Sequence, residues 1–195
     1  MGDPAFRLAV AGRVLEIVKG DITRETTEAI ANAANSTLAG GGGVDGAIHK
    51  AAGPTVMAEL RERYPGCPTG SAVITAGGNL PAKWILHAVG PVYAGTPDDA
   101  ELLESAYRTC LILCEQHHIA SVAFPSISTG VYGYPVDEAA PVAVRTVIRQ
   151  LQEREWPSLA RFVLFDDRTL AAYVEASRAS SADLTAGHSG ERMEK

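Results

Sequence analysis

The sequence predicts an α/β domain whose mostly parallel sheet is covered by helices on both faces. Three observations predict it. Short β-branched runs alternate with longer stretches of helical periodicity, the pattern of strand–crossover–strand units. The 195 residues suit one domain with a full core, and no internal repeat divides them. Hydrophobic residues make up 46% of the chain and charged residues 21%, the balance of a globular protein.

In chain order, an edge strand near Arg7–Ala11, turning at Gly12, precedes a strand over Arg13–Val18. A third strand covers Ala29–Ala33 and leads into a glycine-rich loop. Helices are expected over Val44–Ala52 and Pro54–Tyr64, then strands over Ser71–Thr75 and Trp84–Val89. The helix Asp98–His117 is well announced: Thr96 suits the cap, Pro97 the first helical position, and Asp98 and Asp99 the positive end of the dipole. Leu103, Tyr107, Cys110, Leu111 and Cys114 share its apolar face. A strand over Ser121–Phe124 leads to a second glycine-containing loop and the helix Val136–Gln150, which Pro141 should kink or delay. The strand Arg161–Phe165 and the helix Thr169–Ser177 complete a domain over residues 1–178. Residues 179–195, rich in Ser, Ala, Gly and charge without periodicity, are expected to be a disordered tail.

Composition also excludes functions. A net charge of −6 argues against a groove that tracks a polyanion. It leaves room for a small anion held by backbone amides and helix ends. Three cysteines, Cys67, Cys110 and Cys114, do not make a disulfide framework. Residues 1–7 carry no apolar leader and no stretch is long enough to span a bilayer, so with reduced thiols a cytoplasmic protein with no membrane contact is expected, a monomer by default. Cys110, Cys114, His117 and His118 raise a zinc reading, which fails because both cysteines fall on the apolar helix face and one helix rarely converges four ligands.

In open α/β sheets ligands bind beyond the carboxyl ends of the strands. Two unusual loops fall there. The first runs Asn32-Ala33-Ala34-Asn35 and then Gly40-Gly41-Gly42-Gly43-Val44-Asp45-Gly46, with a helix following at once. Consecutive glycines let a ligand approach the main chain, and the helix start adds unpaired N–H groups. Alone, the loop reads equally as a flexible connection or as a phosphate cradle. Asn32 and Asn35 alone read as turn residues. Asp45 reads as a first-turn helix acid, or as a group holding a ribose hydroxyl or a water, since a carboxylate would repel phosphate.

The second loop is Pro125-Ser126-Ile127-Ser128-Thr129-Gly130-Val131-Tyr132-Gly133-Tyr134-Pro135. Two such loops at successive strand ends suit a diphosphate better than one. Asp21, after the second strand, is a turn cap or an acceptor for an amino group such as that of adenine. Phe165 is a core aromatic or a ring that stacks on a base. His49 either hydrogen-bonds loop residues or packs, and Cys67 and His87 show no partner.

The ordered set Gly20-Asp21-Ile22, Asn32-Ala33-Ala34-Asn35, Gly41-Gly42-Gly43-Val44-Asp45-Gly46-Ala47-Ile48-His49, His87-Ala88-Val89-Gly90-Pro91 and residues 126–135 resembles the macrodomain family, and within it the MacroD-type ADP-ribosyl hydrolases, over roughly residues 7–175. The resemblance implies a three-layer α/β/α macrodomain fold with a mixed, largely parallel central sheet and a cleft for ADP-ribose. It implies that Asp21 holds the adenine amino group, with Ile22 and Phe165 on the base. Gly41, Gly42, Gly43 and Val44 would hold the diphosphate with Ser128, Thr129, Gly130, Val131 and Tyr132. Asn32, Asn35, Asp45 and Tyr132 would surround the distal ribose, Tyr132 standing where the family usually has phenylalanine. No metal and no cofactor are implied.

The reaction implied is hydrolysis of the ester between ADP-ribose and an Asp or Glu side chain of a mono-ADP-ribosylated protein, with O-acyl-ADP-ribose or ADP-ribosylated nucleic-acid ends as further substrates. Asn35 and Asp45 are the expected catalytic pair. Asn35 would fix the ribose, and Asp45, read as an exposed carboxylate and hence a weak base, would chiefly position the water. The competing function is a non-catalytic ADP-ribose reader. A poly(ADP-ribose) glycohydrolase is disfavoured because the paired glutamates that mark those members after the glycine loop are missing.

Overall fold

Alternation of side-chain direction along short apolar strands dictates the layering. The computed structural model describes residues 3–190. Its strands are β1 (Phe6–Val10), β2 (Arg13–Lys19), β3 (Ala29–Ala33), β4 (Ala72–Ala76), β5 (Trp84–Ala88), β6 (Ser121–Phe124) and β7 (Leu159–Leu164). The helices are α1 (Gly43–Ala52), α2 (Pro54–Arg63), α3 (Pro97–Gln116), α4 (Val136–Glu153) and α5 (Asp167–Gly190). The strands form one sheet in the order β1-β2-β7-β6-β3-β5-β4. The inner five are parallel, while β1 pairs with β2 and β4 with β5 antiparallel. The sheet is therefore mixed and largely parallel, and the layers are α/β/α.

Each inner strand feeds two separate cores. Leu15, Ile17, Ala29, Ala31, Leu86, Ala88, Val122, Phe124, Ala160 and Phe162 point to one face, against Leu103, Tyr107 and Cys110 of α3, Val144 and Val147 of α4, and Tyr173 of α5. Val18, Ile30, Ile85, Ala123 and Val163 point to the other, against Ile48 and Ala52 of α1 and Val56 and Leu60 of α2. Burial of each large aliphatic side chain contributes about 1.5–3 kcal/mol.

The caps behave as their chemistry requires. At the start of α3 the Asp99 carboxylate accepts from the amides of Ala94, Gly95 and Thr96 at 2.8–3.0 Å. Pro141 neither delays nor interrupts α4; it sits in the second turn, where the only backbone bond it forfeits is to the carbonyl of Asp137. Helix α5 also departs from expectation. Instead of ending at Ser177 before a disordered tail, it continues to Gly190. Leu184 in the added turns packs against the larger core. Residues 191–195 lie outside the described residues. Cys110 and Cys114 are fully buried on α3, whereas His117 and His118 at its end are exposed. Among the described residues, no helix is long and apolar enough to cross a membrane.

Candidate functional site

The carboxyl ends of β2, β3, β5, β6 and β7 open into one cleft of about 660 Å³. Its lining follows from the strand ends: Gly20–Ile22 after β2, Ala33–Asn35 and Gly41–Asp45 after β3, Gly90 after β5, Pro125–Tyr132 after β6, and Phe165–Asp166 after β7.

The turn after β2 is held from beneath. Arg161 on β7 donates from Nε and Nη2 to Glu16 Oε2, at 2.9 and 2.7 Å, and from Nη1 to Glu25 Oε2 at 2.9 Å. Glu25 closes the 3₁₀ turn Ile22–Arg24 that Asp21 caps. Asp21 Oδ1 accepts from the Thr23 amide at 2.9 Å and the Thr23 hydroxyl at 2.7 Å, which leaves Oδ2 for a ligand. On the neighbouring strand β7 stops at Leu164, one residue sooner than the sequence suggests, and Phe165 stands 82% exposed in the cleft lining.

The glycine loop belongs to the smaller core, into which Ala34, Leu38 and Ile48 insert. Gly42 caps α1 with no side-chain bond, so the first amides of α1, at the cleft lining, have no partner among the described residues. Asn35 clips the loop: Nδ2 donates to the Gly40 carbonyl at 2.8 Å, and Oδ1 accepts from Thr37 Oγ1 at 2.7 Å and the Ala39 amide at 3.3 Å.

The second loop belongs to the larger core, through Ile127 and Tyr134. Tyr107 pins it: its hydroxyl donates to the Pro125 carbonyl at 3.1 Å and accepts from the Ile127 amide at 3.0 Å. Tyr173 donates to Ser126 Oγ at 3.0 Å. Burial pushes the Tyr107 phenol well above its ordinary range, so it stays a donor. The amides of Thr129, Gly130, Val131 and Tyr132 donate to no group among the described residues. Ser128 adopts φ 68°, a left-handed conformation uncommon for a residue with a side chain. Gly90 lets it come so close: a Cβ there would sit 2.2 Å from Ser128 Oγ. Tyr107→Phe should therefore cost about 1–3 kcal/mol of stability, by leaving the Pro125 carbonyl and the Ile127 amide unpaired. Chemical denaturation against wild type measures this.

Asp45 lies in the first turn of α1 and is only 5% exposed, which corrects its reading as an exposed carboxylate. Its Oδ1 accepts from Asn32 Nδ2 at 2.6 Å and lies 3.4 Å from His49 Nε2, while Oδ2 lies toward Gly41 and the cleft. Asn32 stands one layer deeper than the other site residues read from the sequence. It is fully buried just behind the lining, its Nδ2 donating to Asp45 and lying against His87. The other site residues read from the sequence, Asp21, Ile22, Asn35, Gly41–Asp45, Ser128–Tyr132 and Phe165, all line the cleft.

Two residues that the sequence left without a role join this group. His87 Nδ1 is 3.2 Å from Asn32 Nδ2 and its Nε2 is 2.9 Å from Thr75 Oγ1. The available signal was polar residues standing inside three apolar strands, Ala31-Asn32-Ala33, Ile74-Thr75-Ala76 and Leu86-His87-Ala88.

A Macro domain profile matches residues 31–143. The O-acetyl-ADP-ribose deacetylase of Salmonella typhimurium is 52% identical over 163 residues, covering 82% of this chain and 91% of that protein. The Oceanobacillus iheyensis macrodomain solved with ADP superposes with a TM-score of 0.86 at 46% identity, covering 91% of this chain and 97% of that one. The Trypanosoma brucei macrodomain in complex with ADP-ribose superposes at 0.77 with 37% identity, over 82% of this chain and 67% of that one.

Proposed function

This chain belongs to the Macro domain family, and from that premise we propose that it binds ADP-ribose and hydrolyses its esters, O-acyl-ADP-ribose and ADP-ribose linked to acidic side chains. The observation that carries the hydrolytic reading is Asp45: a buried carboxylate with one oxygen held from behind and the other turned to the cleft.

The diphosphate lies across the open amides at the start of α1 and those of residues 129–132, which meet its charge without a net positive surface. The base lies between Asp21 and Phe165. Asn35, with one Nδ2 hydrogen left beyond its bond to Gly40, faces the distal ribose. Asp45 Oδ2 accepts a hydrogen bond from a water and aims its oxygen at the ester. As the water adds to the ester carbonyl, its proton passes to the carboxylate; when the bond to the ribose oxygen breaks, that proton returns to the ribose oxygen, and a carboxylic acid and ADP-ribose leave. The unpaired loop amides are available to the charge that develops.

Wild type incubated with O-acetyl-ADP-ribose, and separately with a glutamate-modified protein, should release ADP-ribose. Tight ADP-ribose binding without release from either substrate would favour a reader. For the base, Asp21→Asn keeps the Oδ1 cap on Thr23 but replaces the free acceptor with a donor. It should weaken ADP-ribose binding about tenfold while leaving turnover at saturation near wild type. Calorimetry reads the first effect and initial rates the second, and unchanged affinity would remove Asp21 from the adenine site.

A further inference from the structure

We infer that His87 and Thr75 are positioning residues for ester hydrolysis: acting through Asn32, they hold the Asp45 carboxylate with Oδ1 turned into the protein and Oδ2 turned to the cleft. The inference rests on the proposed hydrolase reading.

The chain of contacts crosses three strands on one face of the sheet. Asn32 of β3 and His87 of β5 are direct register partners. Thr75 of β4 stands diagonal to His87, whose own partner is Val73. The contacts run Thr75 Oγ1 to His87 Nε2 at 2.9 Å, His87 Nδ1 to Asn32 Nδ2 at 3.2 Å, and Asn32 Nδ2 to Asp45 Oδ1 at 2.6 Å.

Proton directions along this chain are forced from both ends. A carboxylate only accepts, so Asn32 turns its NH₂ to Asp45, and the second hydrogen of that NH₂ needs an acceptor at His87 Nδ1. His87 then carries its proton on Nε2 and donates it to Thr75, whose own hydroxyl donates to the Ala76 carbonyl at 3.1 Å. Burial lowers the His87 imidazole to about 3, so it remains neutral with a single proton to place.

Filling space does not require such a chain. Thr75, His87 and Asn32 are all 0% exposed, and apolar side chains would occupy that volume without desolvating polar groups. The arrangement even leaves Asn32 Oδ1 buried without a partner among the described residues. What the polar chain accomplishes lies at its cleft end, where it fixes the rotation of the Asp45 carboxylate.

Thr75→Val and Thr75→Ser separate positioning from packing. Valine keeps the volume and strand propensity but removes the acceptor for His87 Nε2–H, whereas serine keeps the hydroxyl and loses a methyl. On O-acetyl-ADP-ribose, Thr75→Val should lower kcat about tenfold with KM and ADP-ribose affinity within about twofold, and Thr75→Ser should keep near-wild-type kcat. A packing role predicts the reverse order. Long-range ¹H–¹⁵N correlation of the imidazoles should show His87 neutral and protonated on Nε2 in wild type, with Nδ1–H appearing in Thr75→Val.

An Nδ1–H tautomer in wild type, unchanged kcat in Thr75→Val, or equal losses in the two variants would overturn the inference. Wild type that hydrolyses neither ester would instead remove the hydrolase reading, and the catalytic part of this inference with it. The tautomer measurement would still report on the chain of contacts.

Discussion

Asp45→Ala is expected to lower turnover at saturating substrate by about 100-fold or more while changing ADP-ribose affinity by less than about threefold. The carboxylate faces the cleft with one oxygen and is anchored by Asn32 and His49 with the other, so its removal deletes the group that aims the water. It deletes little that grips the ligand, because the open amides of both loops remain. Loss of a negative charge beside the diphosphate works against any loss of affinity. Release of ADP-ribose from a glutamate-modified protein reads the first quantity and calorimetry the second. Equal losses in both would make Asp45 a binding residue only. Asp45→Asn adds a finer comparison, since it keeps the shape but presents an amide where Asn32 also donates, which should disorder both side chains.

Gly46→Ala carries the second large effect, and its sign opposes helix propensity. Gly46 lies within α1, where alanine would ordinarily stabilise the helix by about 1 kcal/mol. A Cβ at this position would sit 2.6 Å from the Gly41 carbonyl oxygen, a backbone atom that yields only if the glycine loop moves. The variant is therefore expected to lose about 1–3 kcal/mol of stability and to bind ADP-ribose at least about tenfold more weakly. Gly42→Ala is the matched control for stability, because a Cβ there meets nothing within 4 Å. Denaturation midpoints and calorimetry on both variants decide it; a Gly46→Ala protein more stable than wild type would mean that the loop adapts freely.

Much of this molecule was readable from local chemistry. Strand and helix order followed from alternation and from signals such as Pro97 and the acidic turn behind it, whose carboxylate Asp99 does reach back over three amides. The two glycine-bearing loops were visible because glycine and helix starts together announce an anion cradle. What escaped depends on contacts between strands distant in sequence. Asn32 and Asn35 alone looked like turn residues, since nothing in Asn32-Ala33-Ala34-Asn35 shows that the first asparagine is buried against Asp45 and His87 while the second lines the cleft. His87 and Thr75 had no visible partners, because their pairing depends on strand register across β3, β5 and β4. The length of α5 was missed for another reason: its outer turns lack an apolar stripe in sequence, and the packing of Leu184 against the core is a tertiary contact.

The two loops that face each other over the cleft stand on different foundations. The glycine loop is seated in the core beneath α1 and α2, and the loop after β6 in the core beneath α3, α4 and α5, with the sheet as partition. A ligand spanning them is thus a tie between two otherwise separate hydrophobic compartments. Energetic independence follows: a substitution that loosens one compartment should reach the ligand through one loop only, and paired substitutions, one on each side, should combine additively in binding free energy. Such a partition lets one wall of the cleft be retuned while the opposite wall keeps its hold on a ligand.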